Sequence, residues 1–218
     1  MSIKKHNGST WSDTKILKHN GAGYENAVVR KYNGSSWDTI SSQLYSHTWD
    51  CTWTSSHGGD GRYGVTSEAG RGYRMYQGRY GDPYATWYDW GRQRSMAGFD
   101  YRHMQEALSG AEIERIEIYL HNEHWWYYAG GKAVIGFHNE AYDDRLFSHS
   151  KYGVKTVDFE GRGQEKWVDM PVEFGEKLRD GLAKGFTLFA DSDSLAYYGY
   201  FSGVGSAYAP KIRITYRK

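Results

Sequence analysis

The sequence predicts an all-β protein: an antiparallel, jelly-roll-like β-sandwich with one or two short helices, preceded by short β-hairpin repeats. Three observations carry this reading. The chain of 218 residues holds 9 Trp, 20 Tyr and 8 Phe together with 27 Gly and only 3 Pro. Aromatic residues favour strands, and Gly, Ser, Asn and Asp favour turns. Short segments of period two recur from about residue 44 onward, and no alternation of strand and helix suggests a parallel sheet.

The first element is a repeat. Ile3-Lys4-Lys5-His6-Asn7-Gly8-Ser9-Thr10-Trp11, Leu17-Lys18-His19-Asn20-Gly21-Ala22-Gly23-Tyr24 and Val29-Arg30-Lys31-Tyr32-Asn33-Gly34-Ser35-Ser36-Trp37 keep one register at a spacing of 13. Asn-Gly accepts the positive φ values of a type I′ turn, so each copy reads as a small hairpin. The ring before Asn-Gly and the ring after it then face each other across the strands. Asn7-Gly8-Ser9 and Asn33-Gly34-Ser35 also match a glycosylation sequon, but Asn20-Gly21-Ala22 does not. The turn accounts for all three. Residues 1–43 are therefore read as three hairpin repeats for assembly or attachment, and 44–218 as the sandwich.

Within 44–218 the elements follow in order. His47, Trp49, Cys51 and Trp53 alternate with Thr and Asp, which predicts a half-buried strand with all four on one face. Strand candidates lie near Tyr73–Tyr76 and Thr86–Trp90. Tyr101–Leu108 reads as a short helix with Met104 and Leu108 four apart, closed by Gly110. In Ile113–Leu120, Ile116, Ile118 and Leu120 share one face; Arg115, Glu117 and Tyr119 share the other. Ala133–His138 follows the Gly130-Gly131 turn, and Trp167–Met170 stops at Pro171. Phe174, Leu178 and Leu182 have helical spacing and predict a second short helix ending near Gly185. Phe186–Ala190, Tyr197–Phe201 and Lys211–Tyr216 complete the strands, the last with Ile212, Ile214 and Tyr216 facing in.

Charge excludes several functions. Lys plus Arg number 27 against 26 Asp plus Glu, a net charge of +1. That balance predicts no nucleic-acid partner, since such binding rests on a basic surface. No apolar run reaches the length of a membrane span, so no membrane insertion is expected. The basic start MSIKKHNGST lacks the apolar stretch of a secretory signal. The one cysteine, Cys51, forms no intrachain disulfide and no cysteine-based zinc site.

The Lys-x-[His/Tyr]-Asn-Gly-x-x-Trp repeats resemble those of bacteriophage minor tail and tail-fibre proteins. Met96-Ala97-Gly98-Phe99-Asp100, Ala107–Glu114, Ile118-Tyr119-Leu120, Trp167–Pro171, Tyr197–Tyr200 and Pro210–Tyr216 are similar to elements of phage minor structural proteins. The resemblance implies a component of the virion tail, made in the host cytoplasm. It further implies that the protein contacts other virion tail proteins and a host cell-surface glycan, and forms a homo-oligomer, most often a trimer. It implies no catalytic residue.

The chemistry-bearing residues fit that expectation. Exposed rings offer flat apolar faces with polar rims, which suits sugar contact. Trp125, Trp126, Tyr127, Tyr128, Tyr197, Tyr198 and Tyr200 are the glycan-binding candidates, although alternation sends about half of any such run into the core. His121, Glu123, His124, His138 and Glu140 form the densest cluster of metal-ligating types, but it lacks the helical spacing of a His-Glu-x-x-His site. Asp143-Asp144 and Asp191-Ser192-Asp193 are acidic pairs in turn-like stretches. They leave open a glycan-cleaving enzyme or, for Asp143, Asp191 and Asp193, a structural Ca²⁺. With no nucleophile elbow and no phosphate-cradling loop, the expectation is a binding protein without a cofactor or catalytic residues.

Overall fold

The computed structural model describes residues 4–6, 9, 11–13, 17–19, 21–26, 29–32, 34–39, 43–58, 74–79, 91–125, 131–142 and 147–218. The strand candidate Thr86–Trp90, the first glycine of the Gly130-Gly131 turn and the Asp143-Asp144 pair lie outside them.

Three hairpins open the chain. They pair β1 (Lys4–His6) with β2 (Trp11–Asp13), β3 (Leu17–His19) with β4 (Tyr24–Asn26), and β5 (Arg30–Tyr32) with β6 (Trp37–Thr39). Each is a separate two-stranded sheet. The innermost pairs are His6↔Trp11, His19↔Tyr24 and Tyr32↔Trp37, so the paired aromatic positions come out as expected. The loop length does not. Four residues separate the closing pair in every copy, where a type I′ turn has two. Gly21 and Gly34, between the paired strands of the second and third copies, carry positive φ.

The remaining strands build an antiparallel β-sandwich. β7 (Leu44–His57) belongs to both of its sheets. Residues 44–50 pair with β16 (Lys211–Arg217), which pairs with β10 (Glu112–Trp125). The other edge of β10 takes β13 (Gln164–Met170). Beyond the start of β16, the end of β10 takes β15 (Gly199–Ser202), and β15 takes β8 (Arg74–Arg79). In the second sheet, residues 51–57 of β7 pair with β9 (Arg92–Phe99). β14 (Gly185–Phe189), β11 (Gly131–His138) and β12 (Lys151–Phe159) then follow in spatial order. Gly78↔Gln93 and Arg79↔Arg92 join β8 to β9.

The core lies between the sheets. Ile116, Ile118, Leu120, Phe201, Ile212 and Ile214 fill it from one side; Ala97, Phe99, Ile135, Phe137, Phe186 and Leu188 fill it from the other. Phe159 and Phe201 meet edge to face at 5.2 Å. Helices α1 (Tyr101–Leu108) and α2 (Val172–Arg179) add Met104, Leu108, Phe174 and Leu178, with Phe174 stacked on Phe137 at 5.3 Å. The Asp100 carboxylate caps α1 by accepting from the His103 N–H. α2 starts after Pro171, with Glu173 in its first turn and Lys177 and Arg179 in its last, the polarity the helix dipole favours.

α2 ends earlier than its spacing predicts. Gly181 enters the left-handed region at φ +75°, and the Leu182 N–H returns to the Lys177 carbonyl. That is a Schellman-type stop. Leu182 is left exposed, and Ala183 takes the buried place. The Tyr197–Phe201 prediction is corrected at its start. Leu195–Tyr197 forms a 3-10 turn, capped by Ser194, and the strand begins at Gly199. β9 and β12 were not predicted.

Strand β7 holds a further correction. Cys51 pairs with Phe99, but Trp53 pairs with Gly98, so the register shifts at Thr52. This β-bulge turns Thr52 and Trp53 both outward and brings Thr54 into the core behind Cys51. Trp53 therefore leaves the face it was expected to share with Trp49 and Cys51. Its indole lies over Gly98, where a Cβ would sit 2.1 Å from the ring, so the approach requires glycine. Cys51 stays inside, and burial pushes its thiol up to about 12, so it remains protonated.

Two buried polar side chains tie the layers together. Gln77, fully buried, donates to the carbonyls of Lys132 and Tyr197 and accepts from the Val134 N–H at 2.7 Å, joining β8 to β11. His138 donates from Nε2 to the Ala97 carbonyl at 3.0 Å and accepts the Glu140 N–H at Nδ1. Those partners require the neutral imidazole. Burial holds His138 down to about 4, against 6.5 for a free side chain. Between those values the unfolded chain binds a proton that the folded chain refuses, so stability falls as pH drops from about 6.5 to about 4 and levels off below. The full contribution is about 3 kcal/mol. Denaturant titrations across that range should show this loss, and a His138→Gln variant should show a shallower one.

Candidate functional site

A second bulge creates the candidate site. Along β10, Asn122 pairs with Phe201 but His124 pairs with Tyr200, so the register shifts at Glu123. Asn122 and Trp125 both point inward, three residues apart, and Glu123 and His124 both point outward. The adjacent strands supply the remaining outward side chains: Tyr200 and Ser202 from β15, and Arg74 and Tyr76 from β8.

The rings form a row across three strands. His124 stacks on Tyr200 at 5.1 Å and 20°, and Tyr76 meets Tyr200 at 5.2 Å. The Arg74 guanidinium lies 4.5 Å from the Tyr200 ring centre. Tyr200, half-buried, is thus flanked by side chains of this same surface. Tyr208, 44 % exposed, stacks on His121 at 4.2 Å.

A polar chain runs beside the row. His121 Nδ1 lies 2.8 Å from Ser202 Oγ, and Ser202 donates to Glu123 Oε1 at 2.7 Å. Glu123 Oε2 accepts from Arg74 Nε at 3.2 Å. Ser202 sits between a histidine and a carboxylate and gives its proton to the carboxylate. In a nucleophilic triad the histidine takes the central place and removes the serine proton. Here the chain fixes the rotamers of His121, Glu123 and Arg74 instead.

Arginines approach the His124 end of the row. Arg162, in the turn between β12 and β13, donates to the Trp125 carbonyl at 3.2 Å and is exposed. Burial, then the positive charges of Arg162 and Arg74, hold His124 below the usual histidine range. Burial likewise raises the Tyr200 phenol, with Arg74 opposing. Glu165 lies at the other end, opposite His121, and accepts from the Tyr119 hydroxyl at 2.7 Å.

The seven ring residues expected to contact glycan are distributed unevenly. Tyr200 stands in the outward row. Tyr197 is half-buried in the 3-10 turn. Trp125 and Tyr198 are buried, at 8 % and 5 % exposure, and offer no open ring face. Trp126, Tyr127 and Tyr128 lie outside the described residues. His121 and Glu123 do converge, through Ser202, and His124 joins the same surface by stacking on Tyr200. Among the described residues no group of three or more His, Cys, Asp or Glu side chains is arranged to hold a metal ion. Asp191 and Asp193 are engaged by arginine: Arg92 contacts both, at 2.9 and 3.1 Å for Asp193, and Arg79 reaches Asp193 at 3.4 Å. The Arg92 pairing holds the Asp193 carboxyl below its usual range. Tyr76 and Arg74 were not singled out from sequence. Tyr76 lies in a predicted strand, but only the pairing of β8 with β15 brings it beside Tyr200.

No protein-family model matches the chain, and no curated protein matches it. Among the described residues no helix is long and apolar enough to cross a membrane.

The electrostatics can be tested directly. Arg74→Gln removes one of the charges that lower His124, so the His124 titration midpoint should rise toward the ordinary histidine value. Burial should keep it from reaching that value. NMR titration of the ring protons reads this, and an unchanged midpoint would show that Arg74 exerts no field at His124.

Proposed function

We propose that this chain is a non-catalytic recognition protein whose sandwich presents the outward face of β10, β15 and β8 to a surface glycan. The observation that carries the reading is the row His124–Tyr200–Tyr76, with Arg74, Glu123 and Ser202 hydrogen-bonded beside it. Hydroxyl edges, imidazole and guanidinium on a rigid sheet suit directional contact with sugar hydroxyls. The repeat resemblance supports the setting: a virion tail-tip or fibre component, with other tail proteins as neighbours and the hairpin segment as its assembly element. An alternative as a glycan-cleaving enzyme draws less support from Asp191 and Asp193, which are engaged by Arg92; Asp143 and Asp144, also singled out for it, lie outside the described residues.

A glycan array probed with the full chain tests the reading. The wild-type protein should retain at least one class of surface saccharide. Tyr200→Ala and Tyr76→Ala should each weaken that binding about tenfold or more, without lowering the melting temperature by more than a few degrees. Equal binding by wild type and both variants would overturn it.

The assembly role has its own test. An isolated two-stranded hairpin is marginal in water, and among the described residues each of the three is a separate two-stranded sheet. Gln43 is already tied to Lys218 by backbone hydrogen bonds at 2.9 and 3.1 Å, so a chain beginning at Gln43 keeps the sandwich's sheet pairing. Sedimentation should show an oligomer, expected to be a trimer, for the full chain and a monomer for the shortened one. The same oligomer from both would place assembly in the sandwich.

A further inference from the structure

Resting on the assembly reading above, we propose that the open edge of β7 over Leu44–Thr48 is a strand-addition site, and that its occupant is the β5–β6 hairpin of a second copy of this chain. Register decides which backbone groups are free. Gln43 and Lys218 exchange both backbone hydrogen bonds, and the Cys51 N–H donates to the Pro210 carbonyl at the other end of the same unbroken ladder. In an antiparallel pair such residues alternate with residues whose N–H and C=O point the other way. Tyr45, His47 and Trp49 therefore direct theirs to β16. Leu44, Ser46 and Thr48 direct theirs to the opposite edge. No strand lies there among the described residues, since β9 joins β7 only from Cys51 onward. Every residue from Leu44 to Thr48 is exposed.

This edge lacks the charge, proline or bulge that keeps a strand from pairing with another chain. Leu44-Tyr45-Ser46-His47-Thr48 contains no Lys, Arg, Asp, Glu, Pro or Gly, and the bulge of β7 lies beyond it at Thr52. The outer edges of the sandwich elsewhere are guarded, β12 by Lys151, Gly153 and Lys155, and β13 by Glu165, Lys166 and Asp169. Leu44 and Tyr45 are 45 % and 43 % exposed.

The hairpins have the complementary need. β5 and β6 are three residues long and form a separate two-stranded sheet, which is stable only with a further strand or a face to pack on. The β7 edge supplies that strand. Tyr32 of β5 is 52 % exposed, so both partners have apolar surface to bury. The donor is a second copy, because within one chain the edge stays open with the hairpin attached beside it. Four residues separate Thr39 from Leu44. They reach about 17 Å at most, which holds the hairpin at the Leu44 end of β7, beside the edge of the next copy. Each copy gives one hairpin and takes one, and such head-to-tail contacts close into a ring, as the expected trimer requires.

Residue-resolved hydrogen exchange on the full-length chain and on the chain beginning at Gln43 tests this. The Ser46 and Thr48 amides should exchange about a hundredfold or more slowly in the full-length oligomer than in the shortened chain, whereas the His47 and Trp49 amides should be slow in both. Thr48→Pro removes an N–H from the open edge and leaves the β16 ladder whole, so the full-length variant should fold and sediment as a monomer. Should it fail to fold, Thr48→Lys, which guards the edge with a charge, makes the same comparison. Gly34→Val strains the β5–β6 loop at φ +104° and should release both amides; Gly21→Val should not. Release by Gly21→Val alone would overturn the choice of hairpin. An oligomer whose Ser46 and Thr48 amides exchange rapidly would overturn the strand addition and leave the assembly reading intact. Protection in a monomeric full-length chain, or in the shortened chain, would show the edge closed from within one copy and would also overturn it. A full-length monomer with both amides rapid would overturn the assembly reading as well.

Discussion

Strand β7 is the constraint on which the rest depends. Its first half pairs with β16 and its second half with β9, so one strand carries the hydrogen bonding from one sheet into the other. Such a strand must turn its side chains as it crosses, because the core lies on different sides of its path. The bulge at Thr52 does this. Cys51 and Thr54 both face the core, three residues apart, and Thr52 and Trp53 both face out. Without the extra residue, every side chain from Trp53 to His57 would point to the opposite face. Trp53 would enter the sandwich and Ser56 would leave it, breaking its hydrogen bonds to Ser95 and to the Tyr76 N–H.

The same device recurs twice in β10. At Glu114 it keeps Ile113 and Ile116 both inside, and at Glu123 it keeps Asn122 and Trp125 both inside. The two extra residues are glutamates that the bulge sends outward. Arg217 takes Glu114, and Arg74 with Ser202 takes Glu123. Core packing therefore has a surface consequence. The bulge that lets Trp125 cover the end of the core is also what sets a carboxylate and an imidazole side by side on the outer face.

These bulges also mark where the sequence stops being legible. Ile116, Ile118 and Leu120, and Ile212, Ile214 and Tyr216, alternate strictly, and their buried faces were readable because each pair of strands runs in plain register there. The α1 helix was readable from Met104, Leu108 and Gly110. Trp53 was misplaced because alternation has no mark for an inserted residue. β12 was missed because it is an edge strand with little to bury: Lys151, Tyr152, Lys155 and Thr156 are exposed, and Gly153 interrupts it at φ +60°. Such features keep an edge from pairing with another chain, and they also hide it from a search for apolar alternation. Of the site, Tyr200, His121, Glu123 and His124 were named from sequence, but as a glycan candidate and as a cluster weighed for metal. Their union with Arg74 and Tyr76 needed the β10–β15–β8 pairing, which joins segments far apart in the sequence.

The outer face of this sheet has two electrostatically different ends, and the contrast bears on what it does. Along β10, β16 and β13, charge is closed upon itself. Glu117, nearly buried, accepts from Arg115 at 3.0 Å and Arg213 at 2.8 Å; Arg115 also reaches Asp169 at 2.7 Å. Arg213 covers Trp167 at 4.1 Å. A buried carboxylate held by two guanidinium groups is costly to break and leaves little for a ligand to gain. At the other end Glu123 accepts from Arg74 and Ser202, and His124 stacks on Tyr200. The first arrangement is a lattice that stiffens the sheet; the second is a row of rings and polar groups on top of it. Binding energy is best realised where polar groups and ring edges are held on a surface that does not have to reorder to meet a ligand. The ladder supplies the stiffness, and the bulge at Glu123 supplies the place.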